Sequence, residues 1–353
     1  MPFSLDHLLQ ESVRRGASDL LLVPGSPPVI RLHGDLQPLE GLGAIGHDDV
    51  TDMLTPFLAP PDAQRFRDGA AVDYCFELQG IGRFRCNLHR VRGGSAGALR
   101  ILPEGSPEFA SLNLPSQVTR LADMHKGFVL VVGPTGAGKS TTLACLLEII
   151  NEQRPVHIVT IEDPIEFRLK HRRAVVEQIQ IGEDSPSFSA ALRHALRQDP
   201  DVILLGDMRD QETIAIALTA AETGHLVFST LHTNDTSQAI DRIIDVFPAH
   251  QQNQIRQQLS MSLTGVVAQH LIPMVQGTGR VPAVELLIAT EAIRNLIRTG
   301  KTHQIYSSIS TGRSVGMQTL DDSLADLIRR GLISRDAAFL HTVHREELEA
   351  RLR

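Results

Sequence analysis

The chain has 353 residues, a length that favours two or three domains and a hydrophobic core that needs no disulfide or metal to fold. Hydrophobic residues make up 42% and charged residues 21% of it, which is ordinary for a globular protein and argues against disorder. The 34 basic and 41 acidic side chains leave a net charge of −7, which argues against a protein that mainly coats nucleic acid.

Three further features narrow the class of protein. No apolar run approaches the roughly 18 residues of a membrane-spanning helix, and the N-terminal segment, residues 1–7, lacks the basic and apolar regions of a signal peptide. The three cysteines, Cys75, Cys86 and Cys145, form no C-x-x-C pair, which excludes a four-cysteine zinc site. We therefore expect a cytoplasmic protein with reduced thiols.

The first hundred residues have the pattern of a small α+β domain. Apolar residues at helical spacing predict a helix over residues 5–15, and Gly16 is suited to end it. Short apolar or alternating runs bounded by turn residues predict strands over residues 20–23, 29–32, 72–78 and 82–88.

A stretch rich in proline, glycine and serine, residues 103–115, separates this part from the rest of the chain. We therefore predict an N-terminal domain over residues 1–102, a linker over residues 103–118 and a second domain over residues 119–353.

Strands and helices alternate in the second domain. The pattern predicts strands over residues 128–132, 156–161, 202–205 and 226–229, with helical segments between them. Such alternation predicts a mostly parallel, doubly wound sheet of the α/β class. From Gln251 onward the sequence predicts mainly helix.

A complete G-x-x-x-x-G-K-[ST] motif lies between the first of these strands and a helix, which is the context that a phosphate-binding loop requires. Backbone N–H groups of such a loop surround phosphate oxygens, Lys139 reaches the β- and γ-phosphates, and the Ser140 hydroxyl ligates Mg²⁺. The motif predicts that these residues bind nucleotide: Gly133, Pro134, Thr135, Gly136, Ala137, Gly138, Lys139, Ser140 and Thr141.

Acidic residues follow two other predicted strands. Asp207 comes after an apolar strand and is suited to hold Mg²⁺ or its water shell. Glu162, Asp163 and Glu166 lie just beyond another strand, and one of them is a candidate to orient or deprotonate the attacking water. The alternative interpretation of these three carboxylates is a helix N-cap with an acidic first turn.

Several motifs in the same order resemble the secretion ATPases of bacterial type IV pilus and type II secretion systems, and in particular the PilT-type pilus retraction ATPases. The resemblance spans nearly the whole chain. It rests on the phosphate-binding loop and on segments similar to the Asp box, the Walker B motif, the His box and a segment associated with retraction: residues 133–140, 160–167, 201–209, 224–233 and 292–298.

The resemblance implies roles for individual residues. Glu166 is the implied general base, Asp207 the implied Walker B carboxylate near Mg²⁺ and His232 the implied γ-phosphate sensor. Arg85 and Arg100 of the N-terminal domain are implied arginine fingers, acting within one subunit or between subunits. An arginine aimed at the γ-phosphate can raise the rate about 10³- to 10⁵-fold.

The resemblance also implies the architecture and the activity. The expected fold is a PAS-like α+β domain followed by a RecA-like P-loop domain with a helical C-terminal part. The expected protein is a Mg²⁺-dependent ATPase that forms a homohexamer, powers pilus retraction and twitching motility, and acts on the cytoplasmic side of the inner membrane. The implied partners are an inner-membrane platform protein and, in some systems, a paralogous retraction ATPase.

Two departures from the family pattern leave alternatives open. Retraction ATPases usually carry glutamate where this chain has Asp207, and the strand predicted after Asp19 lacks a histidine that is common there. The alternatives are an accessory subunit with weak turnover, an ATPase that drives assembly or secretion, and a nucleic-acid translocase. The absent four-cysteine insert argues against the assembly branch, and the acidic balance with only 14 Phe and Tyr argues against nucleic acid as a partner.

Overall fold

The computed structural model describes residues 4–32, 34–92, 94–277 and 279–353, so that residues 1–3 of the N-terminal segment lie outside the described residues. The chain divides into two compact units, Met1–Gly105 and Ser106–Arg353. The division falls inside the stretch that the sequence predicts as a linker.

In the described part of the first unit, three α-helices accompany an antiparallel sheet. The strand order is β3-β2-β1-β6-β5-β4, and every pair of neighbours is antiparallel. Its elements are α1 (Leu5–Arg14), β1 (Asp19–Leu22), β2 (Val29–Leu32), β3 (Asp35–Pro38), α2 (His47–Leu54), α3 (Pro60–Arg67), β4 (Val72–Leu78), β5 (Gly82–Val91) and β6 (Gly94–Leu102), with a short 3₁₀ helix at Thr55–Phe57.

Alternation of side chains along the strands creates the core of this unit. Phe84, Cys86 and Leu88 of β5 are completely buried, whereas the residues between them are not, because successive side chains of a strand point to opposite faces. Leu8 and Leu9 of α1 pack into the same core cluster. This arrangement confirms the predicted α+β character of the N-terminal part.

The second unit contains a seven-stranded sheet in the order β13-β12-β7-β11-β10-β8-β9. Six strands are parallel, and β13 pairs antiparallel with β12 at one edge. The strands are β7 (Gly127–Val132), β8 (His157–Glu162), β9 (Val175–Gln180), β10 (Val202–Leu205), β11 (Leu226–Leu231), β12 (Leu263–Pro273) and β13 (Arg280–Ile288).

Helices cover both faces of this sheet. Phe128 and Leu130 of β7 pack into one core cluster with the helices α5 to α9, and Val129 and Val131 pack into another with α4. The helices are α4 (Lys139–Gln153), α5 (Phe188–Ala195), α6 (Gln211–Glu222), α7 (Thr236–Asp245), α8 (Ala249–Ser262), α9 (Glu291–Arg298), α10 (Ile305–Thr311), α11 (Leu320–Arg329), α12 (Arg335–Phe339) and α13 (Arg345–Arg351). Short 3₁₀ helices lie at Phe109–Leu112, Ser116–Leu121, Thr302–Gln304 and Arg313–Val315.

The prediction of mainly helix from Gln251 onward is wrong for the two longest strands of this unit. Residues of β12 and β13 are mostly buried on both faces, so apolar residues dominate their sequences without the strict alternation that marks a half-buried strand. Periodicity alone does not separate such a run from a buried helix. Helices do follow from α9 onward, which agrees with the predicted helical C-terminal part.

Within the described part of the chain, every helix is too short or too polar to span a bilayer.

Candidate functional site

The predicted site residues of the second unit lie at one edge of its sheet. The phosphate-binding loop follows β7, Glu162 ends β8, Asp207 follows β10, and His232 follows β11. These four strands lie side by side and are parallel, so their carboxyl ends meet at the same edge. Ligands of open α/β sheets bind at this edge.

Two glycines allow the phosphate-binding loop to pack closely on β12. A Cβ atom at Gly133 would lie 2.3 Å from the backbone oxygen of Gln269, and one at Gly138 would lie 2.8 Å from its Nε2. Both glycines have positive φ, +150° and +87°, which side chains disfavour. The helix α4 begins at Lys139 directly after this turn, so its N-terminal N–H groups face the loop, an arrangement suited to anions.

The side chain of Gln269 holds this loop from β12. Its Nε2 donates to the backbone oxygen of Ala137 at 2.6 Å, and its Oε1 accepts from the Thr142 hydroxyl at 2.8 Å. Gln269 is 3% exposed, so both contacts are protected from water. Sequence reasoning missed this residue, although one amide within the apolar run of β12 is a signal that could have found it.

Lys139 lies in contact with the loop and with His232. Its Nζ donates to the backbone oxygens of Gly133 at 2.9 Å and Pro134 at 3.1 Å, and lies 3.4 Å from His232 Nδ1. Burial lowers the pKa of Lys139, although the negative charges of Asp207 and Glu166 act in the opposite direction. The structure thus brings together the four residues of the second unit that the sequence assigns to catalysis.

The electrostatics of His232 favour the neutral imidazole. Desolvation and the positive charges of Lys139 and Arg209 lower its pKa below the usual 6.5, and the negative charge of Asp207 only partly opposes them. Because Lys139 can only donate, the hydrogen-bond geometry assigns Nδ1 as the acceptor and leaves the proton on Nε2. The neutral ring is therefore available as a hydrogen-bond donor near pH 7.

Asp207 and Ser140 supply oxygen atoms of the kind that Mg²⁺ prefers. Asp207 Oδ1 accepts from the Met208 N–H at 2.9 Å, and its Oδ2 lies 2.6 Å from Nε of Arg209, which is largely exposed. Ser140 lines a mostly apolar cleft together with Glu162 and Gly206. This donor set fits a magnesium ion that is shared with nucleotide phosphates.

The three carboxylates at the end of β8 and just beyond it differ in their surroundings. No helix begins at residues 162–167, all of which are described, so the alternative interpretation as a helix N-cap is wrong. Glu162 is half-buried and accepts hydrogen bonds from the Thr160 hydroxyl at 2.7 Å and from Gln178 Nε2 at 3.2 Å. Burial raises the pKa of Glu162 to about 7, against these hydrogen bonds. Asp163 is exposed and Glu166 is half-buried in the loop that follows.

Arg85 and Arg100 belong to the first unit and lie directly opposite each other on β5 and β6. Their side chains therefore lie on the same face of that sheet. Arg100 Nε lies 3.0 Å from Asp19 Oδ1, and Arg100 faces Asp19 across the β1–β6 pair. The ion pair between Arg100 and Asp19 offsets the repulsion between Arg85 and Arg100. The sequence alone did not indicate this ion pair.

A RecA-like, mostly parallel sheet with a phosphate-binding loop at the carboxyl ends of its parallel strands defines a P-loop nucleotide-binding protein. The family model described as type II/IV secretion system protein matches residues 98–338. The chain belongs to this family, which confirms the resemblance found in the sequence.

The relatives of the chain include two pilus ATPases of Pseudomonas aeruginosa. The type IV pilus retraction ATPase PilT is 46% identical over 95% of this chain and 96% of its own length. The type IV pilus ATPase PilU is 35% identical over 95% of this chain and 88% of its own length. The crystal structure of the pilus retraction motor PilT with bound ADP has a TM-score of 0.91 and 44% identity, and the match covers 99% of both chains.

Proposed function

We propose that this protein is an ATP-hydrolysing motor that powers type IV pilus retraction. The observation that carries the proposal is the convergence of Lys139, Glu166, Asp207 and His232 at the carboxyl edge of the sheet. The 46% identity to a retraction ATPase along almost the whole chain supports the direction of the motor.

The chemistry that fits these residues is phosphoryl transfer to water. Residues 133–141 surround the phosphates, and Ser140 and Asp207 hold the magnesium ion, which neutralises charge on the β- and γ-phosphates when bound. Glu166 accepts a proton from the attacking water, and His232 donates a hydrogen bond from Nε2 toward the γ-phosphate. Arg85 and Arg100 stabilise the charge that develops in the transition state.

The motor acts as a ring of identical subunits, which we propose to be a hexamer. Its partners are an inner-membrane platform protein of the pilus machinery and, where one is present, a paralogous retraction ATPase. The protein therefore works on the cytoplasmic side of the inner membrane, and nucleic acid is not among its partners.

Steady-state ATP turnover by the purified, Mg²⁺-loaded oligomer is the first test. Lys139→Ala serves as the blank because it removes the charge that contacts the phosphates and leaves the rest of the loop. Turnover clearly above this blank supports a working motor. Turnover equal to the blank, with ADP or ATP still bound by the unsubstituted protein, would contradict it.

The role of Glu166 is tested by Glu166→Gln, which keeps the size of the side chain and removes the proton acceptor. We expect turnover to fall to the level of the Lys139→Ala blank while nucleotide affinity is retained. Appreciable residual turnover would remove Glu166 from the general-base role.

Deletion of the gene in the source cells tests the direction of the motor. Loss of retraction leaves cells with pili that cannot twitch, whereas loss of an assembly ATPase leaves cells without pili.

A second candidate function is an accessory subunit with weak turnover, and Asp207 in place of the usual glutamate favours it. The identity to PilT, which is named a retraction ATPase, is 46%, against 35% to PilU, which is named a pilus ATPase, and this difference favours the retraction motor. Asp207→Glu distinguishes the accessory subunit from the principal motor. A large gain in turnover indicates that the shorter carboxylate limits turnover in the natural protein, as expected for the accessory subunit.

A further inference from the structure

The loop that carries Glu166, residues 163–169, is irregular and has no backbone ladder of its own. Its shape must therefore be set by contacts with neighbouring elements. The strand β9 runs beside β8 and carries two glutamines, Gln178 and Gln180, which point to the same side of the sheet because they are two residues apart.

Gln178 makes three hydrogen bonds to this region. Its Nε2 donates to the backbone oxygen of Phe167 at 2.9 Å and to Glu162 Oε1 at 3.2 Å, and its Oε1 accepts from the Leu169 N–H at 2.9 Å. The side chain thus uses donor and acceptor together, a pattern that only an amide can supply at this position.

Two of these hydrogen bonds fix the backbone at and next to Glu166. The Glu162 carboxylate, which Gln178 and Thr160 hold, accepts the backbone N–H of Glu166. Phe167 is the next residue along the chain, so the backbone is fixed on both sides of the proposed base. Gln180 Oε1 accepts the Ile165 N–H at 3.1 Å and completes the attachment.

We propose that Gln178 is a positioning residue for ATP hydrolysis, which acts by holding the Glu166 loop through Phe167, Leu169 and Glu162. The inference rests on the proposed role of Glu166 as general base. A base that is displaced by about 1 Å from its productive place can lose about 100-fold in rate, whereas nucleotide binding depends on a different loop.

Gln178→Met and Gln178→Glu test this role. Methionine keeps the length of the side chain and removes all three hydrogen bonds. Glutamate keeps the acceptor for the Leu169 N–H but removes both donated bonds and places a second carboxyl group beside Glu162. We expect kcat to fall about 10- to 100-fold in both variants, with ADP affinity changed by less than about three-fold.

Amide hydrogen exchange provides a readout that does not depend on turnover. We expect faster exchange over residues 163–169 in both variants, whereas exchange over the phosphate-binding loop stays unchanged. Glu177→Gln is the matched control, because Glu177 is the preceding residue of β9 and its side chain is half-exposed, 3.5 Å from His157 Nε2. This variant should keep normal turnover and exchange.

The outcomes separate the positioning role from the base itself. If Glu166→Gln abolishes turnover and both Gln178 variants retain it within about two-fold, the positioning role is wrong and the base assignment stands. If Glu166→Gln retains turnover, the base assignment is wrong whatever the Gln178 variants do. A parallel loss of ADP binding and turnover, or a failure of both Gln178 variants to fold, would assign Gln178 to general stability and overturn the proposal.

Discussion

At the scale of single residues, Glu162 couples the stability of the second unit to pH. Its pKa is raised from 4.5 to about 7 in the folded chain, mainly by burial. Between pH 4.5 and pH 7 the folded state keeps a proton on Glu162 that the unfolded state releases. The stabilisation of the folded state by this proton is complete below pH 4.5 and is lost as the pH rises through 7. The full difference corresponds to about 3 kcal/mol.

We therefore expect Glu162→Gln to flatten the pH dependence of unfolding. The decrease in the free energy of unfolding between pH 5 and pH 8 should be smaller than in the unsubstituted protein by about 2 to 3 kcal/mol. Denaturant unfolding at the two pH values measures it, and Glu222→Gln, at an exposed position, is the control. An equal pH dependence in both variants would contradict the assignment to Glu162.

Gln269 is the second residue whose importance follows from its contacts. Gln269→Leu removes both hydrogen bonds that hold Ala137 and Thr142, so the phosphate-binding loop loses part of its fixed shape. We expect ADP to bind about 10-fold more weakly, the equivalent of one or two hydrogen bonds of about 1 kcal/mol each. Fluorescent-nucleotide titration measures this, and Gln257→Leu on the exposed side of α8 should bind ADP normally.

At the scale of elements, polar contacts join the last helix, α13, to α11. Arg351 of α13 donates to Asp322 at 2.6 Å and to Glu347 at 3.0 Å, and Tyr306 donates to Glu347 at 2.8 Å. Asp322 also accepts from the Thr319 hydroxyl and from Arg313, and its side chain is only 8% exposed. Burial acts to raise the pKa of Asp322, but these hydrogen bonds outweigh it and lower the pKa overall.

Asp322→Ala should therefore destabilise the C-terminal helices. It removes the carboxylate that accepts from the Thr319 N–H and hydroxyl at the start of α11, and it leaves Arg351 with one carboxylate fewer, which costs about 2 to 3 kcal/mol. Asp326→Ala is the matched change one turn later, where an exposed pair with Arg330 contributes at most about 0.5 kcal/mol. Equal unfolding midpoints for the two variants would show that the contacts to α13 contribute little.

At the scale of the whole molecule, Arg85 tests whether one active site is built from two subunits. We expect Lys139→Ala and Arg85→Ala oligomers each to lack turnover. If the finger acts between subunits, mixed rings regain activity, because an intact Lys139 can meet an intact Arg85 from its neighbour. Random mixing at equal amounts makes about a quarter of the sites complete.

The mixing experiment also defines the result that would contradict a finger acting between subunits. Turnover that stays at the level of the separate variants after the subunits have exchanged would mean that Arg85 acts within its own chain. Light scattering of the mixture checks that the ring has the same mass as the unsubstituted oligomer, which we expect to be a hexamer.

The sequence by itself determined the local features of the protein, which depend only on residues close together along the chain. The phosphate-binding loop, the strand before it and the helix after it are defined within a short segment, because the turn needs glycines and the helix needs its N-terminus at the loop. Most strands of both units were predicted to within a few residues for the same reason. The family resemblance identified Glu166, Asp207 and His232 as candidates, although no local pattern places them near Lys139.

Only the tertiary structure decided which distant residues meet. Lys139 and His232 are 93 positions apart and come into contact because β7 and β11 are adjacent and parallel. The buried strands β12 and β13 carry no periodic signal, so their place in the sheet and the contacts of Gln269 were not predictable. Gln178 likewise is an ordinary polar residue in the sequence. Its hydrogen bonds form only because β9 pairs with β8 and because Phe167 and Leu169 of the Glu166 loop lie beside β9.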